Sequence, residues 1–123
     1  MNDAMEQGVL LEFQIGHIGF HFDSEDQACR EAGYLSQLFG LPLIPGKPSL
    51  FVGDLFECVK PPCPGRKGHV AIRTNDIESA IAYLEGKGVE FLDSSRQYND
   101  DGGLRTIYLK EEIEGFAIHL LQK

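Results

Sequence analysis

The residues best suited to chemistry in this chain are three histidines and a glutamate: His17, His69, His119 and Glu57. Imidazole nitrogen and carboxylate oxygen are the usual ligands of Zn²⁺, Fe²⁺, Mn²⁺ or Ni²⁺. A lone histidine in a strand is usually just a hydrogen-bonded or half-exposed residue, and Glu57 read by itself is a solvent-facing acid. Their placement in the chain points further. Gly16-His17-Ile18-Gly19-Phe20 and Gly68-His69-Val70-Ala71-Ile72 echo each other, and each is followed at once by a helix signal. Glu57 and His119 fall near the end of the segment that each echo begins. One polar residue from the start and one from the end of each half would then meet on a single divalent cation.

Two further side chains extend that set. His21 lies two strand steps from His17 on the same face and is a candidate acid–base or ligand-orienting group. Arg73 stands in the same relation to His69, placed to clamp a substrate carboxylate beside the metal. Tyr98 and Tyr108 either reach the same region or pack on a helix, and periodicity does not decide between these. No glycine-rich phosphate loop, Ser-His-Asp order or dinucleotide fingerprint is present.

The elements that must carry these residues read as two copies of a βαβββ unit. In the first copy, residues 13–22 alternate as a strand. Ser24 is an N-cap with Glu25 and Asp26 in the first turn, where the helix dipole favours acids. Ala28, Ala32, Leu35 and Phe39 recur at helical spacing, and Gly40 stops the helix. Runs 41–44, 49–52 and 55–60 follow as strands, with Gly53-Asp54 as a tight turn. In the second copy, 68–74 is a strand. Asn75 and Glu78 have capping-box spacing, Ile77, Ala80, Ile81 and Leu84 form the apolar stripe, and Gly88 ends the helix. Residues 89–92 start a strand, 99–103 is a turn cluster, and two further strands are expected at 104–110 and 116–122. The helices are thus expected near 24–39 and 76–87.

Strand parity then sorts the faces. Ile18, Phe20 and Phe22 turn toward a helix, whereas Ile15, His17, Gly19 and His21 turn the other way. Val70 and Ile72 oppose His69, Ala71 and Arg73 in the same manner. Leu55, Glu57 and Val59 share one face, and Gly115, Ala117, His119 and Leu121 share another. The fold class expected is α+β, with two βαβββ modules forming a curved mixed sheet around a cleft. Module one spans about 11–60 and module two about 67–123. Between them, Pro61-Pro62-Cys63-Pro64-Gly65 makes 61–66 a stiff linker that cannot sit inside a sheet.

Length and charge bound the rest. The 123 residues, 42% hydrophobic and 24% charged, suit a single globular domain. No apolar run is long enough to span a membrane. Residues 1–7 lack the basic and apolar stretches of a signal peptide. The three cysteines include no Cys-x-x-Cys pair, so free thiols in a reducing cytoplasm are expected. A formal charge of −8 repels phosphate backbones and argues against nucleic acid. Sheet edges left by paired modules suggest a homodimer.

With these residues in view, the chain resembles the vicinal oxygen chelate superfamily, from about Leu11 to Lys123. That superfamily includes glyoxalase I, extradiol dioxygenases, methylmalonyl-CoA epimerase and the bleomycin-resistance proteins. The resemblance implies paired βαβββ modules curved around a metal. It implies ligands from the first and last strand of each module, here His17, Glu57, His69 and His119. Many members have Glu where His119 stands, so the resemblance does not carry base catalysis onto that position. It implies a divalent-metal-dependent isomerase, epimerase or lyase. A narrower likeness runs through Gly68–Thr74, Ile107–Ile113 and Gly115–Lys123. It is to a domain fused behind some bacterial bifunctional 2-keto-4-hydroxyglutarate / 2-keto-3-deoxy-6-phosphogluconate aldolases, and it implies a small anionic 2-oxo acid as ligand. A non-catalytic binder or an accessory domain of such an aldolase is the alternative.

Overall fold

The structure is a computed structural model, and it describes residues 10–62 and 67–123. The chain runs β1 (Gln14–His21), α1 (Glu25–Phe39), β2 (Leu43–Ile44), β3 (Ser49–Val52), β4 (Phe56–Val59), β5 (Gly68–Thr74), α2 (Ile77–Glu85), β6 (Phe91–Tyr98), β7 (Leu104–Leu109) and β8 (Phe116–Gln122). This is βαβββ twice over, as the echo requires. The readings made for residues 1–7 and for Cys63 lie outside the described residues, as does most of the 61–66 linker.

Caps set the helix limits. The Ser24 side chain accepts a hydrogen bond from the Gln27 backbone N–H at the start of α1, and Gly40 closes it in the left-handed conformation at φ 65°. In α2 the cap differs from the expected Asn75. Asp76 takes that position, its carboxylate accepting from the Ser79 N–H and hydroxyl. Asn75 instead donates to the Leu10 carbonyl, so its side chain is spent on tying down the preceding segment. α2 also stops at Gly86, with Gly88 in the turn beyond. The second strand of module two begins at Phe91, within the stretch expected to start it, and extends to Tyr98, just before the turn cluster.

All strands join one eight-stranded sheet in the order β2-β3-β4-β1-β5-β8-β7-β6. Each half reads the same from edge to centre. β1 pairs parallel with β4, and β5 pairs parallel with β8. The halves meet through the antiparallel β1–β5 pair. One chain therefore builds the whole cleft.

Each helix covers the convex face of its own half. Ala28 and Ala32 of α1 pack on Leu50, Val52 and Cys58, with Phe22, Leu35 and Phe56 around them. Ile77, Ala80 and Ile81 of α2 pack on Leu104, Ile107 and Leu120, joined by Leu11. Cys58 is fully buried, and burial raises its thiol pKa to about 11, with smaller help from Glu31 and Glu57. It is a small apolar core residue.

One bulge alters a face assignment, and two register shifts interrupt the β6–β7 pair. Gln14 pairs with Arg73 and Ile15 with Ile72, yet His17 pairs with Ala71, so Gly16 is the extra residue. Ile15 therefore leaves the His17 face, contrary to the alternation, and is exposed. Leu55 likewise precedes β4 and is exposed. In β7, Leu104 pairs with Tyr98 but Thr106 pairs with Gln97, which leaves Arg105 as the extra residue.

Candidate metal centre

The regular part of β1 and the centre of β5 carry the first two histidines. β8, parallel to β5, carries the third opposite Ala71. Their ring nitrogens converge: one ligating atom from each of His17, His69 and His119 lies within 4.8 Å of the others. His69 and His119 are buried, 4% and 5% exposed, and His17 is partly buried. Glu57, from β4, closes the side next to β1. Its Oε1 lies 2.9 Å from His69 Nε2 and 3.3 Å from His17 Nε2. It thus stands against two of the three imidazoles, outside the three-histidine group itself.

Three of the four candidate ligands, Glu57, His119 and His69, are held by a neighbour outside the cluster. The Ser49 hydroxyl donates to Glu57 Oε2 at 2.6 Å. Burial alone would raise the Glu57 pKa. The combined hydrogen bonds from His17, His69 and Ser49 outweigh it and hold the carboxyl well below the usual range. His119 places Nδ1 3.1 Å from the Leu120 carbonyl. Donation there fixes the tautomer and leaves Nε2 as a lone-pair donor. Burial lowers the His119 pKa to about 4, so this ring is neutral near pH 7, the form that a metal needs.

His21 sits on the outer side of His69, with Nε2 2.8 Å from His69 Nδ1. When His69 Nε2 faces the centre, its Nδ1–H has an acceptor in His21. The structure therefore puts His21 in position to orient a ligand, and it also lines the cavity. Tyr108, left undecided by periodicity, belongs to this region. Its ring lies 4.8 Å from that of His119. Burial first, and Glu57 second, raise its pKa to about 12, so it stays a phenol. Tyr98 is exposed.

The donor set fits a divalent cation. Two nitrogens each about 2.1 Å from one tetrahedral ion stand about 3.4 Å apart. His17 and His69 Nε2 atoms are 3.2 Å apart. Space is also reserved: a Cβ at Gly19 would fall on the His69 ring. Three imidazoles and a carboxylate suit Zn, Ni, Fe or Mn and do not choose among them.

The cluster forms the floor of a cavity of about 680 Å³ between the two halves. Arg73 reaches it from β5, its side chain lying over Gly16. Ser49, Gln97 and Arg105 also line it and were not singled out from the sequence. Arg105 is legible only once the β7 bulge is known.

No protein-family model matches this sequence, and no curated protein matches it. Solved structures do match. A hypothetical protein, BH1468, from Bacillus halodurans C-125 aligns at TM-score 0.62 and 18% identity, over 91% of this chain and 95% of that one. Methylmalonyl-CoA epimerase from Mycobacterium tuberculosis aligns at TM-score 0.64 and 14% identity, over 92% and 89%. A single-substitution variant of Streptomyces coelicolor methylmalonyl-CoA epimerase, in complex with 2-nitronate-propionyl-CoA, aligns at TM-score 0.61 and 16% identity, over 89% and 96%. The fold is that of the methylmalonyl-CoA epimerases. It is the α+β arrangement of paired modules expected from the sequence. Among the described residues no helix is long and apolar enough to cross a membrane.

Proposed function

We propose that this protein is a divalent-metal-dependent enzyme of the vicinal oxygen chelate type. Its substrate is a small anionic 2-oxo or 2-hydroxy acid, and its reaction is an epimerisation, isomerisation or lyase step. The observation that carries this reading is the convergence of His17, His69 and His119 from both halves of the sheet. Those three residues and Glu57 hold the ion. A bound divalent cation supplies Lewis-acid polarisation of neighbouring substrate oxygens. Arg73 orients a substrate carboxylate. Tyr108, a phenol, donates a hydrogen bond into the cavity. His21 orients His69 and is the ring assigned to proton exchange with substrate. Epimerase is the activity named for the fold neighbours, and the 2-oxo acid class comes from the aldolase-domain likeness. The free edges at β2 and β6 support a homodimer, which light scattering at tens of micromolar tests.

Sequestering without turnover is the second reading. It follows if His21, the ring assigned to proton exchange, serves only to orient His69 through their 2.8 Å contact. One experiment addresses both readings. Metal content is measured after purification without chelator. Proton–deuterium exchange next to the carbonyl is then followed by NMR for a panel of 2-oxo acids, 2-hydroxy acids and methylmalonyl-CoA. Bound metal with exchange on a panel member supports the enzyme. Bound metal with binding but no exchange supports sequestration. Absence of bound metal, with none taken up on reconstitution, overturns the metal reading.

A further inference from the structure

The chain carries 11 basic residues against 19 acidic ones, so an arginine without an acidic neighbour needs a reason. Among the described residues, Arg30 pairs with Glu31, and Arg96 pairs with Asp93 and Glu78. Arg73 and Arg105 make no ion pair with a described acid, and both line the cavity above the histidines. In an acidic protein, the two described arginines without carboxylate partners open on the same space.

Their spacing is set by the sheet. Arg73 on β5 pairs with Leu121 on β8, which pairs with Thr106 on β7, which pairs with Gln97 on β6. This row crosses the concave face, and Arg105 is the bulged residue beside its Thr106 position. The row Ala71–His119–Tyr108 runs next to it, two residues away on each strand, which is roughly 7 Å along the sheet. Arg73 and Thr106 are two strands apart, roughly 10 Å between backbones. At that backbone spacing two long guanidinium side chains reach a common group in the cavity once the Arg73 head swings from its present lean toward β1 over Gly16. Gly16 contributes the room: its missing side chain is where the Arg73 stem lies, with Cγ 2.9 Å from the place a Cβ would take. Asp54 is the acid on the rim of this cavity apart from Glu57.

We infer that Arg73 and Arg105 form a second anion subsite, so that the substrate is a dianion with one end at the histidine centre and a carboxylate or phosphate at the arginine pair. Arg73 alone, beside the metal, would serve any monoacid. Adding Arg105 along the next row selects for a second charge at a fixed distance. Gln97, at the far end of the row, supplies an amide donor to the same group. A separation of roughly 7 Å suits a short chain bearing its anions at opposite ends. This inference rests on the metal-centre reading, and the test below keeps the two apart.

The probes are 2-oxoglutarate, a 2-oxo diacid, 2-oxobutyrate, a 2-oxo monoacid, and glycerol 3-phosphate as a phosphate-bearing control, titrated calorimetrically into wild type, R73Q, R105Q and the double variant. Metal content is measured on every sample. Wild type should bind a doubly charged probe more tightly than 2-oxobutyrate by about 10- to 100-fold, the worth of charge-assisted hydrogen bonds. R105Q should lose most of that preference, and the double variant all of it, with 2-oxobutyrate affinity in R105Q and the metal content of all variants unchanged. Preference for 2-oxoglutarate identifies a carboxylate at the pair, and binding of glycerol 3-phosphate that is lost in the double variant identifies a phosphate. Equal binding of mono- and dianions by wild type, no binding of any probe at millimolar concentration, or a preference that survives in the double variant overturns the subsite. Loss of metal from wild type overturns the metal reading alone, because the arginine-dependent preference is scored separately.

Discussion

Gly19 on β1 faces His69 on β5 across the central pair, and the volume its side chain would need is filled by the His69 imidazole. The ligand's position depends on the absence of a side chain on the neighbouring strand. Gly19→Ala should push the ring off the centre, lower metal affinity by about 10–100-fold as loss of ligand support does, and cost about 1–3 kcal/mol of stability from overpacking. Gly33 in α1 has open space around its Cβ position. Gly33→Ala should stabilise by about 0.5–1 kcal/mol and leave metal binding alone. Urea melts and metal titrations of the two variants check both outcomes.

His21 tests support from the other side of the same ring. His21→Ala removes the acceptor 2.8 Å from His69 Nδ1 and should weaken metal binding by about 10–100-fold. His21→Gln keeps an oxygen acceptor and should recover most of the affinity. If His21 also exchanges protons with substrate, the glutamine variant will bind metal and substrate yet fail in the deuterium-exchange assay.

His69→Ala removes a ligand shared by the other donors. In wild type, metal at 100 times its dissociation constant should add about 2.7 kcal/mol to unfolding stability. In the variant, added metal should leave the urea midpoint where it was. Retained metal-dependent stabilisation would show that His69 is not a ligand.

Acid should destabilise the metal-free protein in two stages. The folded His119 pKa, about 4, lies below its ordinary value of 6.5. The unfolded chain therefore takes up the proton first. The stability contributed by the neutral ring is fully present above pH 6.5 and is lost as pH falls toward 4, up to about 3 kcal/mol for this group. Glu57 is also lowered, so its contribution is lost below about pH 4.5. Urea melts in EDTA at pH 7, 5.5 and 4.5 should show the first stage, and His119→Gln should flatten it.

Much of this site was legible because most of its residues lie on uninterrupted stretches of strand. From His17 to His21, from His69 to Arg73 and from Ala117 to Leu121, alternation holds and the polar residues turn to the concave side as parity demands. Parity failed where a bulge intervenes. Gly16 turns Ile15 away from the His17 face, and the β7 bulge gives Arg105 its place at the cavity, a change that no two-residue period can signal. The α2 cap was misplaced by one residue because Asn75 and Asp76 are both good caps, and the competing bond to Leu10 that settles it is long-range. Tyr108 stayed undecided for a related reason: which strand lies beside β8 is a matter of topology.

The β1–β5 pair joins the halves of the sheet, and the candidate ligands straddle it: His17 and Glu57 on one side, His69 and His119 on the other. Neither half owns a complete donor set. A bound ion would therefore act as a clasp across the seam, drawing part of its affinity from the docking of one half on the other. Anything that loosens the seam, such as a cut in the proline-rich join or a strained β1, would dismantle the site as a unit. Metal affinity would then serve as a gauge of how firmly the two halves are closed.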